Sequence, residues 1–156
     1  MTQVTNHPYE SLTVGQKAQL QKTVKEDDIK LFAAVSGDCN PVHLDAEFAA
    51  TTQFKERIAH GMFTGALISA AIACELPGPG SIYLGQTLRF TRPVKLNDEL
   101  TVELEILEKL PKNRVRIATR VFNQAGKQVV DGEAEVLAPS VQETLTMPEL
   151  PQVSIG

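Results

Sequence analysis

The sequence predicts an α+β fold in which an antiparallel sheet curves around one central helix. Two observations support this expectation. The segment 59–75 is apolar on every side and carries no charge before its last residue, which is typical of a helix that other elements surround. After a break of proline and glycine at residues 77–80, apolar residues recur at every second position, which is typical of strands. Helices followed by a run of strands favour an α+β architecture.

The first elements come before the central helix. Residues 17–24 alternate weakly and predict a strand. Thr23 and Glu26 resemble a capping box, and the acidic residues that follow suit the positive end of a helix. Apolar residues then recur at helical spacing, so residues 26–36 predict an amphipathic helix that ends at Gly37.

The stretch SGDCNPVH, residues 36–43, forms the loop that leaves this helix. Pro41 disfavours helical geometry at Asn40, so we expect the loop to be extended or turned. Asp45 is placed to cap a short helix at residues 46–54.

Four strands are expected after the central helix, and a turn at residues 123–126 suits a hairpin between the last two. The strands are predicted at residues 81–94, 99–110, 113–123 and 127–138. The whole chain, residues 1–156, is interpreted as one domain, in which 139–156 forms an extended tail with three prolines near its start and middle.

Composition excludes some classes of protein. A net charge of −4 argues against a nucleic-acid-binding protein, which usually presents a broad basic surface. The two cysteines are too few for a disulfide scaffold and match no metal-ligand spacing with the histidines. No secretory signal is visible, so we expect a cytoplasmic protein. The central apolar stretch is too short and lacks the basic flanks of a membrane span.

Asp38 and His43 are the first candidates for chemistry. They flank a constrained turn that can hold two side chains rigidly, and a water between a carboxylate and an imidazole would be polarised by both. Such a pair suits the addition of water to an activated double bond. Spacing alone favours a different interpretation, a loop in which Asp38 bonds nearby amides and His43 is a surface turn residue. A Cys39 thiol paired with His43 is a third interpretation, and Asn40 is expected to brace the loop.

Gly61, Gly65 and Ser69 form the second feature, because residues four apart lie on one stripe of a helix. Two glycines in an apolar helix cost stability, so something must pass close to this face. Tight packing explains the stripe. The Gly61 amide, at the helix N-terminus, also suits a carbonyl oxygen that becomes negative during a reaction, with Ser69 hydrogen-bonding behind the reacting groups.

Basic residues alternate along the predicted strands. Such a pattern is typical of a solvated sheet face, and binding of ligand phosphates is a weaker hypothesis. The residues are Arg89, Arg92, Lys95, Arg114, Arg116 and Arg120. Three apolar residues, Ile72, Leu76 and Leu137, are candidates for an acyl pocket, although similar residues occur in any core.

The segment FAAVSGDCNPVHLDAEFA, residues 32–49, carries a more specific signal. It closely resembles the signature of the R-specific enoyl-CoA hydratases of the MaoC-like, or hydratase 2, family. The later stretches HGMFTGALIS and GSIYLGQTLRFTRPVKLNDEL also look like this family, and the short form is similar to its PhaJ-type members. The matching signature positions are Phe32, Ser36, Gly37, Asp38, Asn40, Pro41, Val42, His43 and Ala49.

This resemblance implies a hot-dog fold and a homodimer with active sites near the subunit interface. It implies hydration of trans-2-enoyl-CoA to (R)-3-hydroxyacyl-CoA in supply of polyhydroxyalkanoate monomers. The catalytic pair falls on Asp38 and His43, the thioester-carbonyl donor on the Gly61 amide, and the helix serine on Ser69. No metal or other cofactor is implied, since CoA is part of the substrate.

Two rival functions follow from the same residues. A 3-hydroxyacyl-carrier-protein dehydratase would use the same groups in the reverse direction. A non-catalytic acyl-thioester binding module would use the glycine stripe only for packing and ligand fit, although retention of both Asp38 and His43 argues against it.

Overall fold

The structure is a computed structural model, and it describes residues 2–156. The α-helices of this part of the chain are α1 Glu26–Ser36, α2 Pro41–Leu44, α3 Ala46–Ala50 and α4 Gly61–Cys74. The strands, in chain order, are β1 Gln3–Thr5, β2 Lys17–Thr23, β3 Ile82–Gln86, β4 Arg89–Phe90, β5 Glu99–Lys109, β6 Arg114–Phe122, β7 Gln128–Leu137 and β8 Thr144–Thr146.

The main sheet is antiparallel and wraps around α4. Its strand order is β2-β5-β6-β7-β3, and β4 also pairs with β7. From Leu100 to Ile106 every second residue of β5 is buried, and Leu104 and Ile106 are fully covered in a core that includes residues of α4. The alternation gives the sheet one wet and one dry face. The predicted α+β hot-dog fold is therefore confirmed.

The strand predicted over residues 81–94 is wrong as one element, because the chain breaks between β3 and β4. Both pieces pair with β7, and Thr87 lies between them. The break coincides with a close approach of two backbones: a Cβ at Gly132 would lie 2.0 Å from the carbonyl oxygen of Thr87. Glycine is therefore required in β7 at this crossing.

The start of α1 differs from the predicted capping box. Thr23 is still in β2, paired with Glu99, so it is not free to cap a helix. The N-cap is Lys25, whose amide donates a 2.9 Å hydrogen bond to Oδ2 of Asp28. Only the acidic half of a capping box exists, two residues later than predicted: a lysine side chain has no acceptor, and the Asp28 amide donates to the backbone carbonyl of Lys25 at 3.1 Å.

The helix α4 is not buried on every side, so that prediction is wrong for a single chain. Met62 is 56% exposed, and Gly61, Ala66 and Ala73 also face outward. The sheet covers one side of the helix and leaves a stripe of small apolar residues open. Within residues 2–156, no helix has the length and apolar character needed to cross a membrane.

The two ends of the chain meet, which the sequence did not predict. The N-terminal strand β1 pairs antiparallel with β8 of the tail. Asn6 is buried beside this ribbon, and its side-chain amide donates to the carbonyls of Pro79 and Val141 at 3.0 and 3.1 Å. Part of the tail is therefore held against the loop that follows α4.

Candidate active site

The loop after α1 holds Asp38 through local hydrogen bonds. Gly37 ends the helix with φ of 79°, a left-handed conformation that favours glycine. The Asp38 amide donates to Oγ of Ser36 at 3.1 Å, and Asp38 Oδ1 accepts from the amide of Asn40 at 3.2 Å. The Asp38 side chain remains 49% exposed. One carboxylate oxygen thus braces the loop while Oδ2 faces His43.

Asn40 braces the next turn, as the sequence predicts. Its Oδ1 accepts from the amide of Val42 at 3.2 Å and caps α2. Pro41 occupies the first position of that helix, where a missing N–H costs nothing. Asn40 itself is non-helical, with φ of −54° and ψ of 127°, as Pro41 predicts, and the chain closes into a helical turn directly after it that includes His43.

His43 is buried and its ring orientation is fixed. Nδ1 lies 2.8 Å from the carbonyl oxygen of Ile58. A carbonyl can only accept, so Nδ1 carries the proton and Nε2 of the neutral ring offers a lone pair. Nε2 lies 3.9 Å from Oδ2 of Asp38. This separation is too long for a direct hydrogen bond, and it is a span that one water can bridge.

Arg57 supports this arrangement from behind, a role that the sequence analysis missed. Its Nε donates to the carbonyl of His43 at 2.6 Å, while one terminal nitrogen contacts both carboxylate oxygens of Glu26 at 3.0 and 2.8 Å. The guanidinium therefore joins the start of α1 to the end of α2. Sequence spacing gives no sign of this role, because the partner groups lie 14 and 31 residues away.

Gly61 begins α4, and in the described part of the chain its amide has no hydrogen-bond acceptor. Free amides at a helix N-terminus favour negative charge. A Cβ on Gly61 would lie 3.2 Å from the ring of Phe90, so this position is sterically tight. Gly61 also borders a cavity of about 340 Å³ whose lining includes Phe54, Thr64, Phe90, Arg92, Val94 and Val130.

In the part of the chain that the structure describes, no hydrogen bond joins Ser69 to Asp38 or His43. Ser69 lies eight residues beyond Gly61 on α4, about 12 Å along the helix axis, and does not border the cavity next to Gly61. Its place behind the reacting groups stays a prediction. Ile72 and Leu76 belong to the buried core, which favours the packing interpretation for both.

His60 is the functional candidate that sequence reasoning missed most clearly. It is 2% exposed, and its Nε2 lies 3.0 Å from the backbone carbonyl oxygen of Asp38. Its ring stacks on the ring of His43, with centroids 3.9 Å apart and planes inclined by 27°. The available signal was its place directly before Gly61. Spacing in the sequence gives no hint of the contact with Asp38, 22 residues away.

Donor atoms of Asp38, His43 and His60 all lie within 4.8 Å of one another, which raises the question of a metal ion. Nδ1 of His43 and Nε2 of His60 already face carbonyl oxygens. The lone pairs of two stacked rings lie in nearly parallel planes, so they do not converge on one ion at the 2.0–2.1 Å that zinc requires. The geometry therefore favours a water-binding pair over a metal centre.

Three of the candidate phosphate-binding arginines are engaged on the outer face of the sheet. Arg114 contacts Glu135, and Arg116 contacts Glu133. Arg120 contacts Glu105, and this hydrogen bond raises the pKa of Arg120. These contacts favour the interpretation of a solvated sheet face. Arg92 differs, because it borders the cavity next to Gly61.

Comparison with known proteins adds independent information. Residues 10–136 match the family model described as a MaoC like domain. The chain belongs to the MaoC-like family. Among curated relatives, the (R)-specific enoyl-CoA hydratase of Rhodospirillum rubrum is 42% identical over 86% of this chain and 93% of its own length.

Two solved structures of R-specific hydratases resemble this chain closely. The unliganded R-hydratase PhaJ1 from Pseudomonas aeruginosa is 73% identical with a TM-score of 0.96, and the match covers 99% of this chain and 100% of that one. The (R)-hydratase from Aeromonas caviae involved in PHA biosynthesis is 47% identical with a TM-score of 0.81, covering 83% of this chain and 99% of that one.

Proposed function

We propose that this protein is an (R)-specific enoyl-CoA hydratase that converts trans-2-enoyl-CoA into (R)-3-hydroxyacyl-CoA. The observation that carries the proposal is the pairing of Oδ2 of Asp38 with Nε2 of His43 at 3.9 Å, beside the N-terminus of α4. The names of the relatives at 42–73% identity support it. A hydratase needs a held water and a site for enolate charge, and these groups supply both.

The water is held by two acceptors. Because Nδ1 of His43 donates to Ile58, its Nε2 accepts one water hydrogen, and the Asp38 carboxylate accepts the other. A water bound in this way directs a lone pair away from both side chains. That lone pair is free to attack C3 of the enoyl group.

The reaction adds water across the C2–C3 double bond, so it forms one C–O bond and one C–H bond without an oxidant or reductant. The water oxygen forms a bond to C3, the C2–C3 π electrons move toward the thioester oxygen, and Asp38 takes the proton that the water loses. The Gly61 amide donates to the enolate oxygen, whose charge the helix N-terminus also stabilises. The enolate then collapses, and the proton returns to C2 through the Asp38 and His43 pair. No metal or redox cofactor takes part in this scheme.

A homodimer forms part of the proposal. The open stripe of α4 and the neighbouring strand β3 present apolar side chains to solvent, including Met62, Ile82 and Leu84, each at least half exposed. An apolar patch of this kind suits a subunit interface. A second copy placed there would cover α4 on its open side. Size-exclusion chromatography with light scattering tests this, and a monomer at micromolar concentration would contradict it.

The cellular setting is also a proposal. Cys39 and Cys74 are both free thiols, which suits a reducing cytoplasm. The product is a 3-hydroxyacyl thioester of R configuration, and likeness to an (R)-hydratase involved in PHA biosynthesis supports a role in supplying polyhydroxyalkanoate monomers from fatty acid β-oxidation.

The decisive experiment follows loss of the conjugated thioester absorbance with crotonyl-CoA and longer enoyl-CoA substrates, with chiral analysis of the product. We expect turnover to the R product and none to the S product. The same acyl groups on acyl carrier protein test the rival dehydratase. Higher kcat/KM for the carrier-protein thioesters would favour that rival, and tight binding without turnover would favour the binding module.

A further inference from the structure

His60 is a buried imidazole that the hydration scheme above does not use. Its ring lies between two other rings: the His43 ring is stacked 3.9 Å away, and the Phe32 ring is tilted at 4.9 Å. Nε2 faces the Asp38 carbonyl oxygen at 3.0 Å. Because that oxygen can only accept, Nε2 carries the proton. Nδ1 is buried with no hydrogen-bond partner among the described residues.

An unpartnered Nδ1 makes His60 a costly core residue. A phenyl ring would fill the same space without burying a polar atom that lacks a partner. The favourable contact that the imidazole adds is its donor at the Asp38 carbonyl. This hydrogen bond connects the loop after α1 to the N-cap of α4, two elements that are 22 residues apart in the sequence.

The contacts of His60 connect all the groups of the proposed reaction. Its ring N–H donates to the backbone carbonyl of Asp38, and its ring stacks on the ring of His43. His60 also directly precedes Gly61 in the chain, as the N-cap of α4. A movement of this one side chain would change the 3.9 Å gap that holds the water. It would also change the direction from which that water approaches a thioester held at Gly61.

We propose that His60 is a positioning residue for the hydration, which sets the Asp38–His43 gap and aligns it with the Gly61 amide. This inference rests on the proposed function. In this role His60 acts through Asp38 and His43, so its removal lowers kcat by misplacing those groups. Displacements near 1 Å can lower rates about 10²-fold.

Two variants separate the two contacts. His60→Phe keeps a ring against His43 and removes the donor to Asp38, whereas His60→Gln keeps an N–H donor and removes the ring. We expect kcat with crotonyl-CoA to fall about 30- to 100-fold for His60→Phe and about 10-fold for His60→Gln. KM should change less than about threefold in both, because the other residues that line the cavity next to Gly61 are unchanged.

Phe63→Leu is the matched control. Phe63 lies three residues further along α4, is buried, and packs edge-on against Phe32 with ring centroids 5.9 Å apart. It touches neither Asp38 nor His43 through the contacts described above. This variant should lower the melting temperature and leave kcat within about twofold of wild type. It therefore measures how far a loss of core packing, without a loss of the His60 contacts, affects turnover.

A double-mutant comparison separates positioning from general damage. In an Asp38→Asn background there is no carboxylate to position, so His60→Phe should cost less than about threefold in kcat. The same 30- to 100-fold loss in both backgrounds would overturn the proposal. So would folded His60 variants with kcat within about twofold of wild type, or failure of both variants to fold.

The wild-type assay keeps the two proposals apart. If wild-type protein hydrates enoyl-CoA and the His60 variants match it, the positioning role is wrong while the proposed function stands. A wild-type protein that binds but does not turn over enoyl thioesters would overturn the proposed function and the positioning role together.

Discussion

The outer face of the sheet and the loop around Asp38 are both polar, but their polar groups have different surroundings. On the sheet face, Arg120 contacts Glu103 and Glu105 across neighbouring strands, at 3.2 and 3.0 Å. Around the loop, Oδ2 of Asp38 and Nε2 of His43 face each other at 3.9 Å without a direct bond. Ion pairs between exposed side chains stabilise a surface modestly. Two hydrogen-bond acceptors that face each other without a donor between them can instead bind a water molecule.

The difference follows from how each region is built. Strands of the sheet place opposite charges at cross-strand positions, so ion pairs form as soon as the register is set. The loop side chains are held by bonds to backbone, as in the contact of His43 with Ile58. Backbone contacts fix a ring without using the atom that faces the site. This distinction predicts which substitutions affect activity and which affect only stability.

The largest effect is expected for Asp38→Asn. This change removes the base and offers a donor where the water needs an acceptor, so kcat should fall about 10³-fold, within the range for general base catalysis. Because the Asp38 side chain is half exposed, we expect little change in the melting temperature. Crotonyl-CoA hydration measures kcat, and thermal unfolding measures the melting temperature. His43→Gln should behave similarly, and near wild-type rates in both would contradict the water-binding pair.

The next effect tests the thioester site. A valine at Gly61 would place its Cβ 3.2 Å from the Phe90 ring and add two methyl groups beside the free amide. We expect kcat/KM to fall about 10²-fold, because the thioester oxygen loses its approach to the amide. Ala125→Val is the control, since Ala125 lies in the exposed turn between β6 and β7, outside both the cavity next to Gly61 and the apolar patch of α4 and β3. Equal kcat/KM for the two variants would remove Gly61 from the thioester site.

Gly132→Ala tests the sheet instead of the site. The added Cβ would lie 2.0 Å from a backbone oxygen, which a side-chain rotation cannot relieve. We expect β4 to separate from β7 and the free energy of unfolding to fall by about 3 kcal/mol. Chemical denaturation measures this loss. For Gly85→Ala, where an added Cβ meets nothing within 4 Å, the free energy of unfolding should fall by less than about 1 kcal/mol. Equal losses in the two variants would show that the backbone at Thr87 can move to accept a side chain at position 132.

Arg120→Gln gives the smallest expected effect. It removes two contacts with Glu103 and Glu105 that are partly exposed to solvent, so the free energy of unfolding should fall by about 1 kcal/mol or less. Turnover should stay within about twofold of wild type. A large rise in KM for enoyl-CoA would contradict the ion-paired interpretation and revive Arg120 as a phosphate ligand.

Several elements could be predicted because their causes are local. Alternation in β5 and helical spacing in α1 are visible in a few consecutive residues, and Gly37 marks the end of α1. The sequence left open whether the loop at Pro41 is extended or turned, because proline suits both an extended loop and a first helical position. The break between β3 and β4 was missed because its cause, Gly132, lies about 45 residues further along the chain.

The sequence by itself determined the class of fold, the order of the elements and the presence of Asp38 and His43 in one short turn, since these depend on neighbouring residues. Only the tertiary structure decided the 3.9 Å gap, the carbonyl that orients His43, and the place of His60 between Asp38 and Gly61. Those features depend on contacts across 15 and 22 residues. Their distances are set by the packing of α4 against the sheet, which no short stretch of sequence specifies.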